Sequence, residues 1–458
     1  MSSSSRWTDL SDQLHSTLPA FDELINKDPQ YNAFVKTPAI LPQITFGIGT
    51  STSNNIIVIA IDNGKCHARV GTAQEASFTL LASLRHWEQF FQPIPVAPFQ
   101  SYWGMFGMNI KQQGIEIQGD QRSFTQHTHI WRRVLEVLHD AYCGPMKLDE
   151  ESEVDEDYII GRYVYLSIPT WGKCKVFYEQ SGSGKQDIVF LHTAGADGRQ
   201  YHGVMNHVAM REKCNMIAFD LPGHGKSYPP PNHCPGDYTN TEDSYVGAIT
   251  AIVKKLQLNK PIICGASMAG QVCLAVAIRA DEVGAGGTIP LQGCEYLNMD
   301  RQFNDQSPYV NQSLFNPEWV YGMMSPTTPL ANKNLIWHMY SACAYGIFHG
   351  DLDFYFGGFD GRTRVSSIDT KKCPVFMLTG EYDWSNTPAV SQATCDKIPG
   401  ARHKAMPDIG HFPVTEKPQK FVPHLLEAID WIRHVRMQDG VGSVERNVRV
   451  GSAAERGC

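Results

Sequence analysis

Pro261-Ile262-Ile263-Cys264-Gly265-Ala266-Ser267-Met268-Ala269-Gly270 is the stretch on which the reading of this 458-residue chain turns. A short apolar run ends at Gly265, and a helix-forming run, Gln271-Val272-Cys273-Leu274-Ala275-Val276-Ala277-Ile278, begins just beyond. Between them a serine stands among small residues. This is the layout of a nucleophile elbow, in which a sharp strand-to-helix turn lifts a serine hydroxyl above a sheet. Such a turn is crowded, so the positions two before and two after the serine must be small. Gly265 and Ala269 meet that requirement, although glycine at both is the usual pattern. A small-x-Ser-x-small match alone is common in loops, so its meaning depends on the flanking chain.

Around the elbow, strand-like and helix-like runs alternate from Tyr158 onward, the signature of a mostly parallel sheet covered on both faces. Residues 163–166 and 175–178 read as early strands, and 187–191 as a buried strand running into His192-Thr193-Ala194-Gly195-Ala196-Asp197-Gly198. The next strand, 216–220, leads into Leu221-Pro222-Gly223-His224-Gly225-Lys226-Ser227, and a helix over about 242–256 precedes the elbow. Further on, the run 374–383 ends in Asp383, and 403–412 carries His411 ahead of a final helix over about 419–435.

Taken in order, these motifs resemble the serine branch of the α/β-hydrolase family over 158–438. The resemblance implies a triad in the chain order serine, acid, histidine, which Ser267, Asp383 and His411 satisfy. A serine hydroxyl is a weak nucleophile at neutral pH and needs a base within reach. In this scheme His411 takes its proton and Asp383 orients the imidazole. Glu295, after the strand-like run 287–293, is the reserve acid, whereas Asp408 is expected to face solvent. The backbone N–H groups of Met268 and Ala194 are the expected oxyanion donors. Thr193 and Ala269 stand where the family usually has glycine. Loss of one donor costs about 10²–10³ in rate, so the β-branched Thr193 is expected to narrow the pocket without removing a donor. His192 and His224 are read as loop-ordering residues. A serine at the elbow argues against the aspartate-using haloalkane dehalogenases and epoxide hydrolases.

The segment 297–370 is far longer than a connecting loop and rich in aromatic residues and Met, among them Phe303, Trp319, Tyr340, Phe348 and Tyr355. The resemblance places a helical lid there, which suggests a small apolar substrate; the plainer alternative is that these side chains only pack the lid onto the sheet. Ester, lactone or thioester hydrolysis and cleavage of an activated C–C bond all fit, with no metal or organic cofactor expected. The rivals are a non-catalytic lipid- or small-molecule-binding protein on a degenerate scaffold, and a lyase, cyclase or acyltransferase on the same fold.

The remaining chain bounds these expectations. The runs 44–48, 55–61 and 66–70 read as strands, with Asp62-Asn63-Gly64 as a hairpin turn. Leu80, Leu84, Trp87 and Phe91 recur at helical spacing, 115–120 reads as a short strand, and a helix is expected over about 123–142. Ile59-Ala60-Ile61-Asp62-Asn63-Gly64, the Trp87 helix and the run 115–120 are similar to the sterol-carrier-like (SCP2-like) domain over about 44–142. That implies an apolar cavity for a lipid-like ligand, set against the plainer reading that aromatic stripes fill a core. The first forty residues are expected to wrap or fray. The run 148–157 is acidic and reads as a solvated linker between a 1–147 domain and the 158–438 domain. The Gly/Ser-rich run 439–458 reads as a disordered tail.

A net charge of −8 argues against a nucleic-acid partner. No run of eighteen apolar residues predicts a membrane span, and the start lacks an apolar signal core. The twelve cysteines include no Cys-x-x-Cys pair and read as reduced thiols, so a cytoplasmic location is expected. A small apolar substrate is the expected partner, with no stable membrane insertion, and a homo-oligomer is left open. The expected fold is α/β, a lidded α/β-hydrolase sheet preceded by a smaller α+β domain.

Overall fold

The computed structural model describes residues 7–36, 41, 43–107, 114–150, 156–234, 236–298 and 307–438. It contains two sheets. The first has five strands, β1 (Gln43–Gly49), β2 (Asn55–Asp62), β3 (Lys65–Thr72), β4 (Phe78–Leu81) and β5 (Glu116–Gly119), in the order β3-β2-β1-β4-β5. β2 and β3 form the expected hairpin, with Asn63 and Gly64 both at positive φ (47° and 79°), as a two-residue primed turn requires. Phe46, Phe78, Trp87, Phe124 and Trp131 fill the interior of this domain.

Three expectations for this half need correction. Of the wrap or fray expected for the first forty residues, the described ones, 7–36, do not fray: Leu10–Leu14, Leu18–Lys27 and Pro29–Val35 are helices that bury Leu14, Phe21, Ile25 and Tyr31. Asp9 and Asp28 cap two of them by accepting backbone N–H groups. Leu80 belongs to β4, which pairs in parallel with β1, and the helix begins only at Leu84. A four-residue strand buried on both faces has no alternation to betray it. The closing helix is two helices, Gln121–Gln126 and Thr128–Cys143, broken at His127 (φ −107°, ψ 23°).

The second sheet has eight strands, β6 (Ile160–Ile168), β7 (Gly172–Ser181), β8 (Gln186–Leu191), β9 (Cys214–Phe219), β10 (Ile262–Ala266), β11 (Gly287–Leu291), β12 (Phe376–Gly380) and β13 (Arg402–Met406), in the order β13-β12-β11-β10-β8-β9-β7-β6. Pairing is antiparallel through β6, β7 and β9, and parallel from β9 to β13. The chain order reverses at β8, where β9 lies on one side and β10 on the other. Loops after β8 and β10 therefore diverge, and that switch point is where a doubly wound sheet opens a crevice at its C-terminal edge. Helices Glu242–Lys255 and Met268–Ile278 cover one face and Pro418–Gln438 the other. Among the described residues, no helix is long and apolar enough to cross a membrane.

The two sheets share one buried apolar cluster, which runs from the first domain through the lid region to one face of the second sheet. Polar contacts reinforce the junction. Arg132 pairs with Glu318 and, at 2.6 Å, with Glu136, while the Trp337 indole N–H donates to Glu318 (2.7 Å). Burial pushes the Glu318 carboxyl up, and the Arg132 guanidinium opposes that shift. The run 148–157 is not wholly a free linker: Asp149 pairs with Lys417 and Lys420, each at 2.8 Å. Its middle, 151–155, lies outside the described residues, as do Phe303 and the proposed tail 439–458.

Candidate active site

Ser267 stands between β10 and helix Met268–Ile278 with φ 61° and ψ −122°. A non-glycine residue there is strained and persists only where both flanking elements hold it. Here Ser267 N–H donates to the Leu291 carbonyl (2.9 Å), and the Ser267 carbonyl accepts from Gly270 and Gln271 (2.8 and 3.2 Å). The small residues of the elbow have a reciprocal fit. A Cβ on Gly265 would lie 2.6 Å from the Ala269 Cβ and 2.9 Å from that of Leu191. Alanine at 269 is therefore tolerated because 265 is glycine. Gly265→Ala is expected to cost roughly 1–3 kcal/mol by overpacking and Ala269→Gly much less, as compared by urea unfolding.

Asp383 follows β12 and His411 follows β13, and both are buried. His411 Nδ1 and Asp383 Oδ2 are 2.8 Å apart, so the ring hydrogen on Nδ1 donates to the carboxylate and leaves Nε2 as the acceptor. The other carboxylate oxygen takes the Ser385 and Asn386 N–H groups (2.8 and 3.0 Å). Glu416, fully buried, accepts the N–H groups of Gly410 and Phe412 on either side of His411 (2.8 and 3.0 Å). Its second oxygen accepts Ser325 N–H (2.8 Å), which ties the histidine loop to the lid.

Glu295 does not reach this site. Its carboxylate pairs with Lys397, and its carbonyl accepts Gly361 N–H (2.7 Å). Asp408 does not simply face solvent either: it holds Lys417 and Lys420 (2.7 and 2.5 Å) and accepts the Ser325 hydroxyl (2.8 Å).

The loop after β8 is ordered by His192, as expected. His192 Nε2 accepts Leu221 N–H (3.0 Å) and its Nδ1 faces the Thr193 carbonyl (2.9 Å). Burial, aided by the neighbouring His224, lowers this imidazole to about 4, which keeps it neutral. Most N–H groups of the loop are occupied: Thr193 donates to Gln200, Gly195 to Asp351, Ala196 to the Thr193 carbonyl and Gly198 to Asp220. Ala194 is left, beside Ser267 in the cavity wall. Met268 is the first residue of its helix, so its N–H has no intrahelical carbonyl to meet. Thr193 spends its hydroxyl on the lid, 2.7 Å from that of Tyr340, while accepting from the Gln200 amide (2.9 Å).

Ser267, His411 and Ala194 share a tight cavity of about 20 Å³ whose other walls include Trp319, Met323, Phe348, Leu352 and Tyr355. The lid above it comprises helices Gln312–Tyr321, Leu330–Ser341 and Ile347–Asp353 and the wide turn Phe354–Gly358. Asp351 anchors that lid. Its carboxylate takes His224 Nε2 (2.8 Å), Gly195 N–H (2.9 Å) and the Asn240 amide (3.1 Å), with both ionic partners fully buried. His224 is thus more than a turn residue, a role that the sequence around it could not disclose because its partner lies 127 positions away.

The first domain also touches the acid loop. The Gln100 amide donates to the Tyr382 carbonyl (2.8 Å), one residue before Asp383. The Ser101 hydroxyl and the Trp384 indole N–H both donate to the Gly322 carbonyl (3.0 Å each). Gly322 precedes Met323, whose carbonyl accepts His411 N–H (3.0 Å). Gln100→Ala is expected to cost about 1 kcal/mol of stability and to lower kcat more than it raises KM, because the lost bond holds the acid loop and does not face the cavity; steady-state kinetics read the split.

Residues 188–424 match the alpha/beta hydrolase family, and the chain belongs to it. Among related sequences, an uncharacterized hydrolase of Bacillus subtilis is 21% identical over 266 residues, covering 56% of this chain and 94% of its own. The acetyltransferase component of the acetoin cleaving system of Pseudomonas putida is 31% identical over 106 residues, and this chain spans only 26% of that protein. Among solved structures, a thermophilic esterase from Thermogutta terrifontis superposes with a TM-score of 0.51 at 19% identity, over 60% of this chain and 99% of that one. A putative aryl esterase from Burkholderia cenocepacia gives 0.50 at 15% identity, over 59% and 99%. At these identities the likeness is one of fold.

Proposed function

We propose that this chain is a serine hydrolase that transfers a small apolar acyl group to water through Ser267, His411 and Asp383. The supporting observation is the strained Ser267 at the C-terminal edge of the sheet, sharing a small apolar cavity with a histidine whose far nitrogen rests on a buried aspartate. Ser267 Oγ attacks the acyl carbon, and His411 takes its proton and returns it to the leaving group. Asp383 holds the imidazole and stabilises its cationic form. The N–H groups of Ala194 and Met268 take the oxyanion. Esters, lactones, thioesters and activated C–C bonds all suit this sequence of steps. The first domain serves as a brace for the acid loop in this reading.

A fluorophosphonate probe tests the reading. Label is expected on Ser267 of the full chain and is expected to vanish in Ser267→Ala; folded wild type that takes no label would favour a non-catalytic binding protein instead.

A further inference from the structure

The cavity over Ser267 is apolar except at a few points. Ser267 and His411 occupy one of them, and the Tyr340 hydroxyl is spent on Thr193. The remaining polar group is a pair of hydroxyls, Tyr355 and Ser385, 3.2 Å apart. Tyr355 comes from the lid and is almost wholly buried. Its hydroxyl also lies within interaction range of the Ser267 side chain. Burial pushes the phenol well above its ordinary value, so it stays a donor at every working pH.

The backbone presents this hydroxyl deliberately. Tyr355 lies in the turn Phe354–Gly358, where Phe356 (φ −101°, ψ 70°) and Gly357 (φ 112°, ψ −13°) leave helical geometry. Such wide turns recur at functional sites. Ser385 lies two residues past Asp383 and donates its N–H to that carboxylate. The hydroxyl pair is therefore held by the lid on one side and by the acid loop on the other. When Ser385 donates to Tyr355, the phenol hydrogen is left for the Ser267 side chain or for an occupant of the cavity.

The Tyr355 hydroxyl has the Ser385 hydroxyl and the Ser267 side chain beside it, and once Ser267 Oγ carries an acyl group the phenol needs another acceptor, since a buried hydroxyl left without one is costly. The carbonyl oxygen of a bound ester would be taken by Ala194 and Met268, so it does not serve. The acyl carbon bonds to Ser267 Oγ during reaction, which brings the first atoms of the acyl chain beside Tyr355. We propose that Tyr355, supported by Ser385, determines specificity by donating its hydroxyl to a second oxygen of the acyl group, a keto or hydroxyl oxygen β to the scissile carbonyl. The substrates are then β-oxygenated acyl compounds rather than plain alkanoyl esters. This rests on Ser267 being the nucleophile.

The test uses the full chain and two fluorophosphonates that differ by one oxygen, with a propyl or a 2-oxopropyl group on phosphorus. Ser267 Oγ forms the P–O bond, the P–F bond breaks, fluoride leaves and the serine proton passes to His411. The ratio of labelling rates, 2-oxopropyl over propyl, is compared between wild type and Tyr355→Phe, so that the intrinsic reactivities of the two reagents cancel. Tyr355→Phe is expected to lower the ratio about tenfold, and Ser385→Ala to lower it in the same direction, in variants whose thermal unfolding matches wild type. A ratio unchanged in Tyr355→Phe overturns the proposal, whether both rates hold or fall together. Absence of label from wild type with both reagents would instead sink the serine-hydrolase reading itself.

Discussion

Ser267→Ala is expected to lower turnover by roughly 10⁴–10⁶-fold, the range found when the nucleophile of such a triad is removed. The fold should survive, because alanine meets the same φ of 61° and removes only a buried hydroxyl. His411→Ala should cost about as much, and the double variant little more, since the two act as one unit. Asp383→Asn is expected to cost about 10⁴ by presenting the wrong imidazole tautomer. Glu295→Gln should be nearly silent, because Lys397 and not His411 is its partner. Turnover of a panel of esters, lactones and diketones reads all five variants. A silent Asp383→Asn beside an inactive Glu295→Gln would reverse the assignment of the acid.

Asp351→Asn should be the most destabilising change near the site, at roughly 3–5 kcal/mol, because it leaves a buried cation without its partner. Its carboxylate joins three separate segments: the turn at His224, the loop carrying Ala194, and Asn240 ahead of helix Glu242–Lys255. The Gly195 N–H is one residue from the proposed Ala194 donor, so turnover should fall with stability. Burial works against both charges here. For His224, burial lowers the pKa but Asp351 outweighs it and the net shift is upward. For Asp351, burial raises the pKa but His224 and the Gly195 N–H outweigh it and the net shift is downward. The raised histidine contributes stability that is complete below the ordinary imidazole value and fades as pH rises through its folded value. The lowered carboxyl contributes stability that is complete above the ordinary carboxylate value and is lost as pH falls through its folded value. The pair therefore contributes most between about pH 4 and 6.5. Urea unfolding across that window should show a broad maximum in wild type that is flattened in Asp351→Asn. An unchanged profile would mean that the pair does not govern stability.

Much of this molecule could be read from its residues in order. Buried apolar runs announced β8, β10 and β12, and Asn63-Gly64 announced the hairpin, because periodicity and turn chemistry are local properties. Ser267, Asp383 and His411 were legible for the same reason: each follows a recognisable strand. β4 and the N-terminal helices were not, since a short fully buried strand lacks alternation, and amphipathic helices in a polar stretch show their value only once a core exists to receive Phe21 and Ile25. The choice of Asp383 over Glu295, the occupation of the Thr193, Gly195, Ala196 and Gly198 N–H groups around Ala194, and the lid groups Asp351, Tyr355 and Glu416 belong to tertiary structure. Two acids after two adjacent strands look alike in sequence; only the closing of the chain decides which faces the histidine and which meets a lysine. Sequence alone determined the larger sheet, the elbow and the chain order of Ser267, Asp383 and His411. Tertiary structure decided their partners, because hydrogen bonds between residues more than a hundred positions apart carry no local pattern.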